Sequence, residues 1–568
     1  MNAQLNNKGQ KALDIAKQEA CALSNKYAGT EHLLLGIISA KEPTINNIFK
    51  KLNISVDDVK KVIYENVYQS ARVPVTEQNV TFTPRVRKIL SLAQDCAEKL
   101  GRKTVGVEHL FLGLLYEHNG VAVNILKSFG VSFRRVRKEF HKQIIKNVRK
   151  ISKELQTPIC ILQDLQGPKI RIGEILNDFI ELKDNEELKI VSKNVVGDSS
   201  VISIDNDILY DIKSNERILI DDGKIELRVI SSSNNEVLTK IIRGGILLPR
   251  KGVNLPESNI SVSSITEKDI EDLYFGLDND VDWIALSFVR SEKDIELLRK
   301  MIRERGKETR IIAKIEKPQA IINIDKIIEV SDGLMVARGD LGVEMPMESI
   351  PIYQKKIVDK CNKAYKPVII ATQMLESMIE QKTPTRAESN DVANAVLDGA
   401  DAVMLSAESA TGNYPIIAVK SMEKIISSVE RSSSELYYNF EKNKSLKDRV
   451  NESLITAACR LAKQINAKAI VSMTKSGFTA FRVSGNRPKA KIFIVTNDKN
   501  LGNIMNIVWG VRCIFYDKTE NIDLTFENIE NILVENNHLK KDDEYIVTAS
   551  MPAHWESHTN MMKVNIVS

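Results

Sequence analysis

Three charged side chains in residues 310–346 have types and a spacing that could do chemistry. Lys314 and Glu316 alternate with isoleucines in the run IIAKIE, so on a strand both charges share one face. Asp340 follows the next apolar run, GLMVA. In a parallel sheet covered on both faces, such charges must be paired or bound. Two carboxylates beside a lysine suit a divalent cation, an anionic substrate and charge transfer between them; an internal ion-pair network is the alternative.

Strand-like runs that could position these side chains alternate with stretches of helical period. This alternation predicts successive βαβ units, in which ligands bind at the carboxyl ends of the strands. We therefore expect the polar residues at those ends to converge on one rim: Arg290, Lys314 with Glu316, Asp340, Thr372 and Glu408. The predicted strands are residues 159–162, 282–288, 310–316, 333–337, 366–372 and 401–406.

Two further segments have a different pattern. Residues 172–253 consist of short alternating runs with turn signals such as Asp222-Gly223, which predicts a small all-β insertion that overhangs the strand ends as a lid. Near the end of the chain, residues 468–474, 491–497 and 544–550 are three further strand candidates. The first of these strands ends at the loop Thr-Lys-Ser-Gly, and a predicted helix begins after this loop. This loop could bind phosphate through backbone amides or serve as a plain helix cap.

The charge balance, the lengths of the apolar runs and the cysteine positions exclude some classes of protein. The 568 residues carry 80 basic and 75 acidic side chains, a net charge of +5, which is too balanced to indicate a nucleic-acid partner. No apolar run approaches the ~20 residues that span a bilayer, and the amino terminus is polar. The six cysteines are scattered. These features predict a reduced, cytoplasmic protein that binds no membrane.

The amino-terminal segment is a duplication. Residues 8–63 align with residues 85–140 at an offset of 77, and TEHLLLGII matches VEHLFLGLL. The apolar spacing predicts two small helical units. The Glu-His pairs at 31–32 and 108–109 lie at helix starts. We interpret them as helix caps, and metal ligation is the alternative. The duplication resembles the Clp repeat domain, which implies docking of protein partners; no Walker motif of an accompanying ATPase follows.

The remainder resembles pyruvate kinase from about residue 144 to residue 568. The matching segments are LQDLQGPKIR, KGVNLP, SFVR, IIAKIE, DGLMVARGDLGVEMP, KPVIIATQMLESM, PTRAE and NDVANAVLDGADAVMLSAE. The two resemblances imply an all-α Clp repeat domain (1–143), an incomplete (β/α)8 TIM barrel (144–171 and 254–430), an inserted all-β lid (172–253) and an α/β C-terminal domain (446–568).

The resemblance to pyruvate kinase implies phosphoryl transfer from phosphoenolpyruvate to ADP, giving pyruvate and ATP. It places Lys314 beside the moving phosphoryl group, and Glu316 and Asp340 on a Mg²⁺ or Mn²⁺ ion. The amides of Gly339 and Asp340 would receive the substrate carboxylate. Thr372 would belong to the path of the proton that reaches the enolate carbon.

Further roles follow from the same resemblance. Lys251 would contact the nucleotide, and Asp164 and Leu165 would bind a monovalent cation. Lys169 stands where K⁺-dependent members tend to have glutamate, which predicts that K⁺ is not required. A homo-oligomer is implied, since the family forms tetramers. The family's effector loop would correspond to Thr474, Lys475, Ser476 and Gly477.

One departure from the family is clear. Its strand motif Asn-x-x-Arg-x-Asn-x-Ser-His, which supplies an arginine to the substrate phosphate, is absent from this chain. Six strands are predicted where a closed barrel has eight. Two hypotheses therefore remain: a pyruvate kinase with an accessory helical domain, whose activity the loss impairs, and a catalytically inactive scaffold that binds protein partners through its Clp repeats.

Overall fold

The fold was taken from a computed structural model, which describes residues 5–66, 76–99, 104–117, 120–192, 195–204, 208–233, 235–258, 260–432, 446–518, 521–550 and 559–568. The chain divides into two compact units. The first consists of Met1–Lys150, Leu375–Pro384 and Ser406–Ser421, and the second of Ile151–Met374, Thr385–Leu405 and Met422–Ser568. Within the described ranges, no helix is both long and apolar enough to cross a membrane.

The amino-terminal segment forms the predicted helical repeat. Its helices are α1 (Asn7–Ala22), α2 (Thr30–Ser39), α3 (Pro43–Lys51), α4 (Val56–Asn66), α5 (Pro84–Lys99), α6 (Val107–Tyr116), α7 (Val121–Ser128) and α8 (Phe133–Glu154), and strands β1 (Tyr27–Ala28) and β2 (Thr81–Phe82) pair in parallel. Helices α1, α2 and α4 recur 77 residues later as α5, α6 and α8. Apolar residues of both repeats pack in one core, so the predicted helical repeat is confirmed, although the short β1–β2 pair was not predicted.

The histidine of each repeat caps a helix. The Gly29 amide donates to Nδ1 of His32 at 3.1 Å, and the Gly106 amide donates to Nδ1 of His109 at 2.9 Å. Both imidazoles are buried at helix starts. Among the described residues, no group of three or more His, Cys, Asp or Glu side chains is arranged to hold a metal ion, so nothing here favours the ligation alternative.

The elements that follow belong mainly to the second unit. The strands are β3 (Leu162–Leu165), β4 (Ile180–Leu182), β5 (Glu187–Val191), β6 (Val201–Ser203), β7 (Arg217–Ile220), β8 (Ile225–Ser232), β9 (Glu236–Arg243), β10 (Gly245–Leu247), β11 (Val253–Asn254), β12 (Trp283–Leu286), β13 (Arg310–Ile315), β14 (Gly333–Ala337), β15 (Val368–Ala371), β16 (Ala402–Val403), β17 (Ala469–Met473), β18 (Lys491–Thr496), β19 (Val511–Phe515), β20 (Glu544–Ala549) and β21 (Met561–Ile566).

The helices of this part connect the strands. They are α9 (Glu267–Asp278), α10 (Glu292–Glu304), α11 (Pro318–Ile322), α12 (Ile324–Val330), α13 (Arg338–Glu344), α14 (Ile350–Lys363), α15 (Arg386–Leu397), α16 (Ala407–Ala410), α17 (Pro415–Ser432), α18 (Leu446–Gln464), α19 (Phe478–Gly485), α20 (Lys499–Met505) and α21 (Ile522–Glu535). Capping boxes begin α9 at Thr266, α10 at Ser291 and α15 at Thr385. In each case an acidic side chain three residues later completes the box, which fixes where the helix starts.

A parallel sheet of six strands positions the candidate site. Its order is β16-β15-β14-β13-β12-β3, so neighbours in the sheet are also successive along the chain, except that β4 to β11 come between β3 and β12. The four inner strands β12 to β15 are buried almost throughout, as a parallel sheet covered on both faces requires. The predicted number of strands and the incomplete TIM barrel are confirmed, because β3 and β16 are the edges of the sheet rather than partners of each other.

Two predicted strand positions were wrong. The first strand runs from Leu162 to Leu165 rather than over residues 159–162, because its register follows β12, whose Trp283 pairs with Leu162. Asp164 therefore lies within the strand, whereas we expected it after the strand end. The last strand covers only two residues of the predicted 401–406, since it is an edge strand whose residues are only half-buried.

The insertion between β3 and α9 is built from β-strands, as predicted, with two short 3-10 helices at Leu176–Asp178 and Leu209–Asp211. Six of its strands form a sheet in the order β11-β7-β8-β9-β5-β6, and β4 pairs with β10 in a second, two-stranded sheet. Isoleucine, leucine and valine side chains fill its core. The β7–β8 hairpin turns at Asp221, Asp222 and Gly223, all with positive φ, so the Asp-Gly signal predicted this turn correctly.

The C-terminal domain is a five-stranded sheet in the order β19-β18-β17-β20-β21, with an apolar core on each face. The three predicted strands are its centre. Both edge strands were missed, since β21 in particular has the mixed sequence MMKVNI and is largely half-buried or exposed. Buried Arg487 joins this domain to the end of the barrel, where its guanidinium donates to Asp401 at 3.1 Å and to the carbonyl of Gly399 at 2.5 Å.

Candidate active site

Strand β13 delivers a lysine and a glutamate to its carboxyl end. Lys314 Nζ lies 2.9 Å from Oε1 of Glu316, and the Glu316 side chain is only 1% exposed. The other Glu316 oxygen, Oε2, accepts the amide hydrogen of Phe288 at 2.7 Å. The two charges that share one face of the strand are therefore paired with each other, as a buried position requires.

Two neighbouring strands supply the other partners of this lysine. Its ammonium group donates to Oδ2 of Asp164 in β3 at 3.0 Å and to Oγ of Ser287, just after β12, at 2.8 Å. The Ser287 hydroxyl in turn donates to the carbonyl of Leu165 at 2.7 Å. Each of the three N–H donors of Lys314 thus has an acceptor, so the ammonium group is held in one position. Asp164 stands at the edge of the sheet, and its side chain is 54% exposed.

The pKa shifts show how these charges act on one another. Burial disfavours the ammonium form of Lys314, but Glu316 and Asp164 outweigh this and raise its pKa. Burial raises the pKa of Glu316; Lys314 opposes that rise, and the nearby negative charge of Asp340 adds to it. A cation bound between Glu316 and Asp340 would relieve their repulsion, which is a physical reason for a metal at this point.

The carboxyl ends of β14 and β15 are joined by a hydrogen bond between two predicted site residues. The Gly339 amide donates to Oγ of Thr372 at 2.7 Å, and that hydroxyl donates to the carbonyl of Ala371, also at 2.7 Å. Thr372 has a φ of +69°, a strained conformation for a β-branched residue. The amide expected to receive the substrate carboxylate thus has a hydroxyl partner here, which a bound carboxylate would have to replace or share.

Arg338 holds the strained threonine in place. Its guanidinium donates to the carbonyl of Thr372 at 2.7 Å and to Oδ1 of Asp391 at 2.6 Å. Because one rigid guanidinium bonds the loop after β15 and a side chain of α15, the backbone at Thr372 is fixed by more than its own strand.

A cavity of about 340 Å³ lies between the barrel strands and the inserted domain. Its lining carries five basic and three acidic side chains. Of the predicted site residues, Asp340, Lys169 and Lys251 line it, together with the strand-end residue Arg290. The other lining charges are Arg171, Asp221, Asp222 and Lys317. A surplus of cations around an open volume suits an anion with several negative charges.

The inserted domain holds the predicted nucleotide lysine in an ion pair. Lys251 Nζ lies 2.8 Å from Oδ1 of Asp221, in the β7–β8 hairpin. The hydrogen bond from Lys251 is the largest cause that lowers the pKa of Asp221, so this carboxyl stays ionised at neutral pH. A phosphate that binds Lys251 must compete with this aspartate.

The sequence did not single out a second buried pair at the cavity. Lys317 Nζ contacts Oε1 of Glu344 at 2.5 Å, and Asn254, the last residue of β11, donates to the same oxygen at 2.8 Å. Glu344 therefore links the cavity to the strand by which the chain leaves the inserted domain. In the sequence, the only indication of this pair was that Lys317 directly follows Glu316.

Two predicted groups lie elsewhere. Glu408 is buried, and its carboxylate accepts the amides of Leu375 and Ser406. The predicted effector loop lies in the C-terminal domain between β17 and α19, where Oγ of Thr474 accepts the Gly477 amide and Oγ of Ser476 accepts the Phe478 amide. The loop's own hydroxyls thus cap two of the amides that could have bound phosphate.

The donor set fits a hard divalent cation. Glu316 and Asp340 provide carboxylate oxygens, and Mg²⁺ typically takes one or two carboxylates while water and substrate phosphate complete its shell.

Comparison with known families divides the chain into the same kinds of segment. The profile of the Clp repeat N-terminal domain matches residues 4–129, that of the pyruvate kinase barrel domain residues 115–419, and that of the pyruvate kinase alpha/beta domain residues 452–565. The barrel match begins within the range 1–143 expected for the Clp repeats, so the boundary between the two stays a prediction.

The individual proteins that this chain resembles are also pyruvate kinases. The chain is 41% identical to pyruvate kinase 2 of Synechocystis sp. over 445 residues, which are 78% of this chain and 75% of that protein. It is 40% identical to a pyruvate kinase of Clostridium acetobutylicum over 423 residues, 74% of this chain and 89% of that protein. The crystal structure of a pyruvate kinase from Cryptosporidium parvum matches with a TM-score of 0.71 and 33% identity, over 76% of this chain and 88% of that one. This chain therefore belongs to the pyruvate kinase family and has a Clp repeat domain in front of its barrel.

Proposed function

We propose that this chain catalyses phosphoryl transfer from phosphoenolpyruvate to ADP, producing pyruvate and ATP. The observation that carries the proposal is the buried Lys314–Glu316 pair next to Asp340, which lines a cation-rich cavity. A transferring phosphoryl group spreads negative charge over its oxygens, so a fixed ammonium group and a divalent cation are the groups that stabilise it.

Each residue has a role that its contacts support. Lys314, held by Glu316, Asp164 and Ser287, presents one positive charge to the moving phosphoryl group. Glu316 and Asp340 hold Mg²⁺ or Mn²⁺, which when bound neutralises charge on the substrate and phosphate oxygens. Thr372 lies against the Gly339 amide, where its hydroxyl orients the water or relay that brings a proton to the enolate carbon.

The nucleotide belongs in the cavity under the inserted domain. Lys251 lines that cavity and would contact the nucleotide. Lys169 would supply the positive charge of the monovalent cation that the family binds at Asp164 and Leu165, so the reaction would proceed without K⁺. The enzyme would act as a homo-oligomer, with the Clp repeats binding a protein partner.

The test is product formation that depends on Lys314. Purified chain at high concentration is incubated with phosphoenolpyruvate, ADP and Mg²⁺, and pyruvate and ATP are followed by ¹H and ³¹P NMR. Lys314→Met is the blank, and Lys307→Met, which alters an exposed pair with Asp280, is the matched control. Equimolar pyruvate and ATP from wild type and Lys307→Met, with none from Lys314→Met, is the expected result. No product above the blank would refute the proposal.

One observation favours a second function. The barrel sheet has two edges without a partner strand among the described residues, β3 and β16, and the sequence lacks the arginine-bearing strand motif. A catalytically inactive scaffold that binds partners through its Clp repeats would show this same defect. Absence of Lys314-dependent product would favour it.

A further inference from the structure

Phe288 is a bulky residue in a backbone conformation that such residues rarely adopt. It stands two residues after the end of β12, and its φ is +54°. A bulky residue with this φ is strained, and it persists only where the surrounding structure holds it. The amide of Phe288 donates to Oε2 of Glu316 at 2.7 Å. The strained backbone thus directs an N–H group at a proposed metal ligand.

The segment that enters the inserted domain packs against the Phe288 ring. Gly167, which follows β3, has a φ of +69°, and a Cβ atom at this position would lie only 2.7 Å from Cδ2 of Phe288. The Gly167 amide donates to Oδ1 of the buried Asp269 at 3.2 Å, so the backbone of this segment is itself held. A larger residue than glycine would therefore displace the ring.

Lys317 provides a second contact to the same ring. Its Nζ atom lies 5.8 Å from the centroid of the Phe288 ring, within the ~6 Å over which an aromatic ring attracts a cation. Lys317 is only 9% exposed, and this attraction is stronger where the cation has lost its water. The ammonium group therefore helps to hold the ring of a strained residue.

Glu344 fixes the position of that ammonium group. Its Oε1 atom lies 2.5 Å from Nζ of Lys317 and accepts from Asn254 at 2.8 Å. The Glu344 side chain is fully buried, so its charge needs a counter-charge beside it. Lys317 is thus held between a buried carboxylate and an aromatic ring, at the residue that directly follows Glu316.

We infer that Lys317 is a positioning residue for the metal ligand Glu316. Lys317 holds the ring of Phe288, and the amide of Phe288 then fixes the orientation of the Glu316 carboxylate. Groups that hydrogen-bond the ligand of a metal orient that ligand, and their loss typically weakens metal binding about 10- to 100-fold. The inference rests on the proposed role of Glu316 as a ligand of Mg²⁺ or Mn²⁺, and it concerns how that ligand is aimed.

The test is binding of Mn²⁺ to the full chain without substrate or nucleotide, followed by electron paramagnetic resonance of the free ion. Lys317→Met combined with Glu344→Gln removes the cation without leaving a buried carboxylate unpaired. This double change leaves the net charge unaltered, so a general change in attraction for Mn²⁺ does not account for a loss of affinity. We expect binding about tenfold weaker in the double variant.

Two single variants serve as references for the double variant. Lys317→Arg keeps a cation at the ring and should retain the affinity of the wild type. Lys326→Met is the matched control, because Lys326 is an exposed residue of α12 whose nearest carboxylate, that of Glu292, is 3.9 Å away. Its affinity for Mn²⁺ should also be unchanged.

Variants of Phe288 decide the matter if the double variant folds poorly. Phe288→Leu keeps an apolar side chain but removes the ring, and it must weaken Mn²⁺ binding by a similar factor. Phe288→Tyr keeps the ring and must retain the affinity. Thermal melts in EDTA measure the Tm of each variant without metal, so a change in stability is separated from a change in metal binding.

Two results would overturn the inference alone. They are full Mn²⁺ affinity in the double variant or in Phe288→Leu, and a lowered Tm in these variants with no loss of affinity, which would mean that the Lys317–Glu344 pair is merely structural. Absence of Mn²⁺ binding in the wild type would instead refute the proposed metal site, and the inference would fall with it. None of these measurements requires turnover.

Discussion

Lys314 Nζ lies 2.9 Å from Oε1 of Glu316, a carboxylate that is 1% exposed, so the positive charge of the site is held by a buried negative one. Both residues come from a single strand end, two positions apart. Each charge therefore depends on the other for its place in the barrel, and the stability and the chemistry of the site are coupled.

The first prediction is that Lys314→Met destabilises the barrel. Without the ammonium group, Glu316 is a buried charge next to Asp340, and we expect the free energy of unfolding to fall by about 3–5 kcal/mol. Adding Glu316→Gln should restore most of this loss without restoring activity. Urea unfolding followed by tryptophan fluorescence measures it, since Trp283 lies in the same sheet. A loss no larger than that of Lys307→Met, which breaks an exposed pair, would contradict the coupling.

The second prediction concerns the divalent cation. Asp340→Ala should weaken Mg²⁺ or Mn²⁺ binding at least about tenfold, because it removes one of two carboxylate ligands. Calorimetry with phosphoenolpyruvate present measures the affinity. Asp222→Ala is the control, since Asp222 lines the same cavity but is not a proposed ligand. Equal metal affinity in wild type and Asp340→Ala would remove this site.

Much of the fold could be predicted because the barrel strands are continuous apolar runs. The pattern placed β14 at residues 333–337, where the structure has it, and β13 within one residue. The pattern failed for the edge strands of the sheets, whose sequences are less regularly apolar. The register of β3 is set by β12, a tertiary contact that its own residues do not encode, and β21 is too polar to be read as a strand.

The site was predictable only in part, for a related reason. Lys314 and Glu316 were visible as charges in an apolar strand. Their partners Asp164 and Ser287 come from two other strands, so the full set of contacts depends on strand order. The hydrogen bond between the Gly339 amide and Thr372 likewise joins two loops, and no local pattern indicates it.

The third prediction concerns the lid lysine. Asp221→Asn should strengthen ADP binding by up to about fivefold, because the phosphates then no longer compete with Asp221 for Lys251 in a partly exposed ion pair. The pKa of Asp221 is lowered by Lys251, so the pair exists above the ordinary carboxyl pKa and is lost only as the pH falls through the lowered value. ADP affinity measured by calorimetry should thus show the same gain at pH 6 and pH 8. A gain at pH 8 alone would mean that Asp221 titrates near neutrality.

The fourth prediction is independence of K⁺. Lys169 lines the cavity, and we expect its ammonium group to take the place of the monovalent cation that the family binds at Asp164. Replacing tetramethylammonium by K⁺ at constant ionic strength should leave the rate of the wild type unchanged. Lys169→Glu should lower the rate and make it respond to K⁺. A several-fold K⁺ activation of the wild type would show that Lys169 does not serve as the cation.

The last prediction is that turnover of the isolated chain is severely impaired. Strands β3 and β16 are edges without partner strands among the described residues, and Asp164 on β3 is more than half exposed although it holds Lys314. The absent strand motif also removes an arginine contact to the substrate phosphate, and such a contact contributes about 2–4 kcal/mol to the transition state. The rate should therefore be lower by about 10²–10³, before any distortion of the barrel. A coupled pyruvate assay with Lys314→Met as the blank measures it. Lys314-dependent turnover of about 10–100 per second, as in ordinary kinases, would show that six strands suffice.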